Sequence, residues 1–279
     1  MNDKFSKTER IKIVEVLSAS DLNPKYLDCV GMYITSWLSM PVINKVKFIP
    51  KVLVVADAIP DSLSEFSEYL QLVDPLDIPT AFVSQTARII EARNSSADFV
   101  ITSDIDMLPL NINFESSLVN SVKHSQKSFY ILRDVLEPGQ FPICYNLAGP
   151  DVWRSLFDQY GSAASTQKIL KDILNEFGGE SGYSGIHGGQ GWTIDQQALW
   201  VLIQAKAQEI EVRRFVDQQT GHRRLDRIHH RGLIKWLILP FVFLGFFHDY
   251  HVHHPVNSNQ NYIRAVIWIR NLGFRVKKL

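Results

Sequence analysis

Two aspartates, Asp104 and Asp106, follow the apolar, β-branched run Phe99–Thr102. Residues i and i+2 on extended backbone project to the same side. Two carboxylates set so at a strand end repel one another and lose hydration unless a cation neutralises them. A hard divalent ion that also takes phosphate oxygens meets that need. The competing reading is a solvated turn, since Asp and Ser are common after a strand. Placed after FVIT and before Met-Leu-Pro, the pair is read here as a metal site.

A third carboxylate, Asp195, opens a helical stretch after Gly191, Trp192 and Thr193. In a partly enclosed cleft such a group has a raised pKa and can take a proton from a hydroxyl. The alternative is a helix N-cap bonded to the N–H of residue 197 or 198. Seven glycines between 178 and 191 mark a loop able to fold over a ligand. His248, His251, His253 and His254 crowd seven residues near the C-terminus. They read either as surface polar groups or as a source of one metal ligand. With only Cys29 and Cys144 in the chain, a separate zinc centre is not expected. One imidazole beside two carboxylates suits Mn²⁺ better than Mg²⁺.

The elements that must position these residues alternate. Residues 11–18 and 51–60 read as strands, 26–40 as a helix stopped by Pro41, and 61–73 as a short helix. Residues 84–94 read as the helix that feeds strand 99–102. Strand, crossover helix, strand predicts a doubly wound α/β layer, whose ligands lie at the carboxyl ends of the strands. Further strands are predicted at 127–134, 142–149 and 210–216, and helices at 151–160, 167–177 and 195–207. No linker or repeat divides the chain. The expectation is one α/β domain over 1–279, with a mostly parallel central sheet flanked by helices.

The stretch SQTARIIEARNSSADFVITSDIDMLPL resembles the nucleotide-sugar-binding core of the GT-A fold glycosyltransferases, where a helix with a basic residue precedes a strand ending in Asp-x-Asp. The first strand, the helix near Tyr26 and the strand ending VVAD are similar to it too. CYNLAGPDVW resembles the strand that lines the active site after the motif. GWTIDQQAL resembles the segment that delivers an acidic residue or an Asp-Gln pair, and FFHDYHVHHP the one whose histidine completes the metal shell. These pieces keep the family's order over residues 11–254, and small enzymes of microbial or large-virus glycan pathways are nearest.

The resemblance implies a GT-A-like, Rossmann-like domain. Residues 1–110 would bind the nucleotide sugar, and 111–279 the acceptor, with a C-terminal metal-ligand segment. It implies Mn²⁺ (or Mg²⁺) on Asp106, Asp104 and His248. His248 is preferred because it directly follows an apolar run, with His251 and His253 as substitutes. Donor contacts would come from Asp104, Arg88, Asp57 and Arg93. Arginine suits bidentate phosphate pairing, although both arginines also fit an ordinary helix surface and Asp57 a simple loop start. Acceptor contacts would come from Trp192, a flat face for a sugar ring, and Gly191. Asp195 and Gln196 would be catalytic. The implied reaction moves a sugar from a nucleoside diphosphate sugar, with UDP the expected nucleotide, to a hydroxyl of a carbohydrate acceptor. Inversion with Asp195 as general base is expected. A retaining course with the Asp195–Gln196 pair beneath the sugar is the alternative.

Other classes fit less well. A sugar nucleotidyltransferase wants a glycine-rich basic loop after the first strand, where SASDLNP stands. The Walker A, G-x-G-x-x-G and G-x-S-x-G patterns are absent. A non-catalytic carbohydrate-binding protein is opposed by the presence of both aspartates, Asp195 and the histidines. Twenty-nine basic against 29 acidic residues argue against a nucleic-acid partner. Two cysteines argue against a disulfide scaffold and for a reducing, cytoplasmic setting. The polar start MNDKFSKTER predicts no signal peptide. The apolar stretch 233–247 is too short for an ordinary membrane span and contains Lys235 and Pro240. It reads as a buried strand or helix pair. Peripheral membrane contact is the alternative, because Arg223, Arg224, Arg227, Arg231 and Lys235 lie in or just before it.

Overall fold

Strand formation begins where β-branched residues accumulate. In the computed structural model, which describes residues 10–122, 127–161, 163–178, 183–185, 188–227 and 232–276, β1 spans Lys12–Asp21 and is buried from Val16 onward. Its alternation feeds two cores: Val14 and Val16 pack into one, Leu17 and Ala19 into the other. The remaining strands are β2 (Val46–Val55), β3 (Leu70–Val73), β4 (Phe99–Thr102), β5 (Met107–Pro109), β6 (Ser128–Ile131), β7 (Asn146–Ala148), β8 (Glu211–Arg214), β9 (Arg224–Leu225) and β10 (Asp249–His251). The main sheet has the order β3-β2-β1-β4-β7-β6-β8, and a small sheet has the order β5-β10-β9. In the main sheet β7 alone runs against the other strands. The fold is thus α/β with a mixed, mostly parallel sheet.

The helices are α1 (Pro24–Leu27), α2 (Val30–Leu38), α3 (Thr80–Glu91), α4 (Asn113–Ser121), α5 (Pro150–Leu156), α6 (Thr166–Phe177), α7 (Ile194–Ala205), α8 (Asp217–Thr220), α9 (Leu239–Phe243) and α10 (Val256–Val276). Residues of α2, α10 and the small sheet build one core; α3, α5, α6 and α7 build the other. The chain steps outward from β1 to β2 to β3. Helix α3 then carries it back to β4 on the opposite side of β1. That reversal opens a crevice between the carboxyl ends of β1 and β4.

Several elements depart from the sequence expectation. The helix foreseen over 26–40 breaks at Asp28–Cys29 into α1 and α2. Residues 61–69 form a 3-10 helix, and 70–73, foreseen as helix, form β3 because pairing with Val52–Val55 satisfies their backbone. Strands β5 and β10 are three residues each and exist through one another. Helix α10 was not foreseen, although Tyr262, Val266, Arg270 and Gly273 recur at helical spacing on its buried face.

Helix α10 anchors the C-terminal half. Arg270, 2% exposed, donates to Ser36 Oγ at 2.7 Å and to the Pro109 carbonyl at 2.6 Å, tying α10 to α2 and β5. Gly273 lets α9 approach, since a Cβ there would lie 2.4 Å from the Phe243 carbonyl oxygen. The stretch expected to be buried is instead a 3-10 helix, Gly232–Ile238, followed by α9, with Leu237 72% and Phe241 49% exposed. Among the described residues no helix is long and apolar enough to cross a membrane.

Candidate active site

The crevice at the ends of β1 and β4 is a cleft of about 440 Å³. Asp21 stands at the end of β1, buried, and accepts from Thr80 Oγ1 at 2.9 Å and from the Asn23 N–H at 3.1 Å. Asp104 and Asp106 follow β4 and both line the cleft. The two carboxylates have different surroundings. Asp104 is half-exposed and turns toward α3; Asp106 is buried and turns toward the C-terminal segment.

The small sheet explains the second arrangement. Strand β10 runs antiparallel to β5 with His251 opposite Met107, and the Val252 N–H donates to the Asp106 carbonyl at 2.9 Å. That register brings His251 Nε2 to 3.3 Å and His254 Nε2 to 3.2 Å from Asp106 Oδ2. Arg227 Nη1, just after β9, reaches the same oxygen at 3.2 Å. Burial alone would raise the Asp106 pKa. The bonds from His251 and His254, with Arg227, outweigh it and hold the carboxyl well below the usual range. Asp106 is therefore ionised.

Asp104 belongs to a second ionic chain. Arg88, on α3 and 8% exposed, donates from Nη1 to Asp104 Oδ1 at 2.5 Å and to the Ser103 carbonyl at 3.0 Å. Its Nη2 lies 3.6 Å from Asp195 Oδ2. Asp195 is buried in the first turn of α7. Its Oδ1 accepts from the Gln196 N–H at 2.9 Å, and Thr193 occupies the N-cap position. The side chain is therefore not the helix cap that its sequence position allowed. Burial raises its pKa to about 6 against the lowering effect of Arg88.

Of the other residues singled out from sequence, Trp192 and Gln196 line the cleft. Gly191 has φ +74°, a conformation that favours glycine and turns the chain just before Trp192. Three residues lie elsewhere. Asp57 follows β2 on the exposed surface, outside the cleft lining, whereas Asp21 at the end of β1 lines the cleft. Arg93 lies past the end of α3 and donates to the Ala164 carbonyl at 2.7 Å. His248 stacks on His222 with ring centroids 4.8 Å apart, and its Nδ1 accepts from the Arg223 N–H at 3.3 Å. It precedes β10, whereas the register carries His251 and His254 to Asp106. Part of the glycine loop, at 179–182 and 186–187, lies outside the described residues. Sequence reasoning missed Asp21, Lys25, Arg227 and His254. The signal for Asp21 was its place at the end of the first buried strand; Arg227 carried none.

Asp106, His251 and His254 offer carboxylate oxygen and two imidazole nitrogens, donors that first-row divalent ions take. In this conformation both imidazoles are directed at Asp106 Oδ2. No group of three or more His, Cys, Asp or Glu able to hold a metal ion is found among the described residues. His254 Nδ1 is buried without a hydrogen-bond partner. Asp106, His251 and His254 are the residues that would hold such an ion.

No family model matches the chain, and no curated protein matches it in sequence. Among solved structures, the glycosyltransferase GlyE of Streptococcus pneumoniae TIGR4 overlays with a TM-score of 0.49 and 16% identity, over 95% of this chain and 61% of that one. The galactosyltransferase LgtC, in complex with donor and acceptor sugar analogues, overlays at 0.45 and 10% identity, over 91% and 95% of the two chains. A glycosyltransferase involved in glycosylation of the major capsid of PBCV-1 overlays at 0.45 and 8%, over 90% and 99%. Identities this low carry no residue's role from those proteins to this chain.

Proposed function

We propose that the chain is a divalent-metal-dependent glycosyltransferase that moves a sugar from a nucleoside diphosphate sugar, with UDP the expected nucleotide, to a carbohydrate hydroxyl. The observation that carries this reading is the division of labour at one strand end. Asp106 sits in a cradle of His251, His254 and Arg227, while two residues away Asp104 is joined through Arg88 to the buried Asp195. A diphosphate needs positive charge, and a sugar-accepting hydroxyl needs a proton acceptor. Residues of both kinds line the cleft.

Asp106, His251, His254 and Asp104 would hold the ion, which when bound supplies charge to neutralise a leaving diphosphate. Lys25 and Arg227 line the same cleft and would pair with phosphate oxygens. Arg88 orients Asp104 toward the donor and keeps Asp195 from facing a second carboxylate unscreened. Asp195 would take the acceptor's proton, and Trp192 would stack on a sugar ring. Gly191 sets the turn that presents Trp192. His251 and His254 replace His248 as the proposed imidazole ligands, and Asp21 replaces Asp57 as the proposed donor-side carboxylate.

The test is release of diphosphate from a panel of UDP- and GDP-sugars, with simple glycosides as acceptors, in Mn²⁺ and in EDTA. Release is expected only with metal. Asp106→Asn should remain folded and lose at least about 100-fold, the upper end for disturbing a residue that merely supports a ligand. His251→Ala and His254→Ala should weaken Mn²⁺ binding, and His248→Ala should not. Full activity of Asp106→Asn in EDTA would remove the metal role. Absence of release with every donor would favour a carbohydrate-binding protein.

A further inference from the structure

The two histidines turned toward Asp106 are not equivalent. His254 meets that carboxylate through Nε2 and the Tyr26 ring edge-on, with ring centroids 6.0 Å apart. His251 stands between two carboxylates. Its Nε2 lies 3.3 Å from Asp106 Oδ2, and its Nδ1 lies 3.7 Å from Asp226 Oδ2. The second distance is an ion-pair contact slightly longer than a hydrogen bond. His251 Nδ1 is buried and has no hydrogen-bond partner among the described residues. A buried ring nitrogen needs one, and a small rotation of either group would make Asp226 that partner.

The small sheet sets the three groups in a row. Asp106 precedes β5, His251 ends β10 and Asp226 follows β9. Strands β9 and β10 run parallel, with Arg224 opposite Asp249 and Leu225 opposite Tyr250. The next pair along that register is Asp226 and His251. On the other side, β5 sets Met107 opposite His251. The imidazole is therefore flanked by a carboxylate from each neighbouring strand end. Both members of the Asp226–His251 pair are mostly shielded, at 22% and 19% exposure, so solvent and salt screen the contact little.

An imidazole that ligates a metal through one nitrogen almost always donates its other N–H to a carboxylate, a carbonyl or water. That bond decides which nitrogen carries the proton and holds the plane of the ring. We infer that Asp226 is the positioning residue of His251, accepting from Nδ1–H so that the Nε2 lone pair faces the ion site. The inference rests on the metal reading of the cleft and adds a residue that touches neither ion nor sugar. Arg227, the next residue in the chain, reaches Asp106 itself. The turn after β9 thus serves both members of the His251–Asp106 pair.

Mn²⁺ binding by the full chain, read as loss of the free-ion EPR signal with no nucleotide sugar present, tests this apart from activity. Asp226→Ala should weaken binding about 10–100-fold. Asp226→Asn keeps an oxygen that accepts from Nδ1–H and should recover most of that loss. In a His251→Ala background, Asp226→Ala should change binding by less than about twofold, because its effect passes through the ring. Matching melting temperatures separate lost positioning from lost folding. Wild-type affinity in Asp226→Ala, with weak binding in His251→Ala, would overturn the positioning role and leave the metal site standing. A loss in Asp226→Asn as large as in Asp226→Ala, or one that persists without the imidazole, would make Asp226 a ligand or a counter-charge instead. No Mn²⁺ binding by wild type, or none lost in His251→Ala, would overturn the metal reading and this role together.

Discussion

At the scale of single residues, Asp195 combines burial with a cation that partly offsets it. Its pKa of about 6 means that it is protonated in mild acid and ionised at neutral pH. Only the ionised form can accept a proton. If it is the base, turnover rises with pH through about 6 and then levels. Asp195→Asn should lower turnover by about 10²–10⁴-fold and remove that rise, with donor affinity little changed. Rate measurements from pH 5 to 8 on both proteins check this. A near wild-type rate for the variant would leave Asp195 as a counter-ion to Arg88. An α-product from an α-linked donor, read by NMR early in the reaction, would turn attention to Gln196 beneath the sugar.

At the scale of elements, the C-terminal helix holds the small sheet, and through it the histidines. Strand β10 has three residues and could not persist alone. It is held because β5 pairs with it and because Arg270 fixes α10 to the Pro109 carbonyl of β5. Gly273 is the contact point for α9. Gly273→Ala forces a methyl group against backbone that has no rotamer to yield. It should cost about 1–3 kcal/mol and lower Tm by several degrees. Asn261→Ala, on the exposed face of the same helix, should stay within about 0.5 kcal/mol. Thermal melts of the two variants decide. An unchanged Tm for Gly273→Ala would show that α9 is not seated on α10.

At the scale of the whole molecule, residues 1–110 and 111–279 share the main sheet. Val100 and Ile101 of β4 pair with Ala148 and Leu147 of β7, and α3 packs against α6 and α7. A fragment ending at residue 122 would expose the edge of β4 and the apolar face of α3. It should be unfolded or aggregate. The full chain should unfold in urea in one transition, coincident by circular dichroism and tryptophan fluorescence. Two separated transitions would show that the halves are independent domains.

Local pattern sufficed for whatever is encoded within a few residues. Strand β4 and its two aspartates, β1, α6 and the start of α7 with Asp195 were legible because burial alternation and helix periodicity are short-range signals. The basic residue on the crossover helix, Arg88, was legible from the resemblance, and the geometry joins it to Asp104. What the tertiary structure decided was pairing across distance. The choice of His251 and His254 over His248 depends on the register of β10 against β5, more than a hundred residues apart in the chain, and a shift of one residue reverses which side chains face Asp106. Arg227 and Asp21 enter the cleft for the same reason. Sequence sets which side chains are available, and long-range strand pairing sets which of them meet.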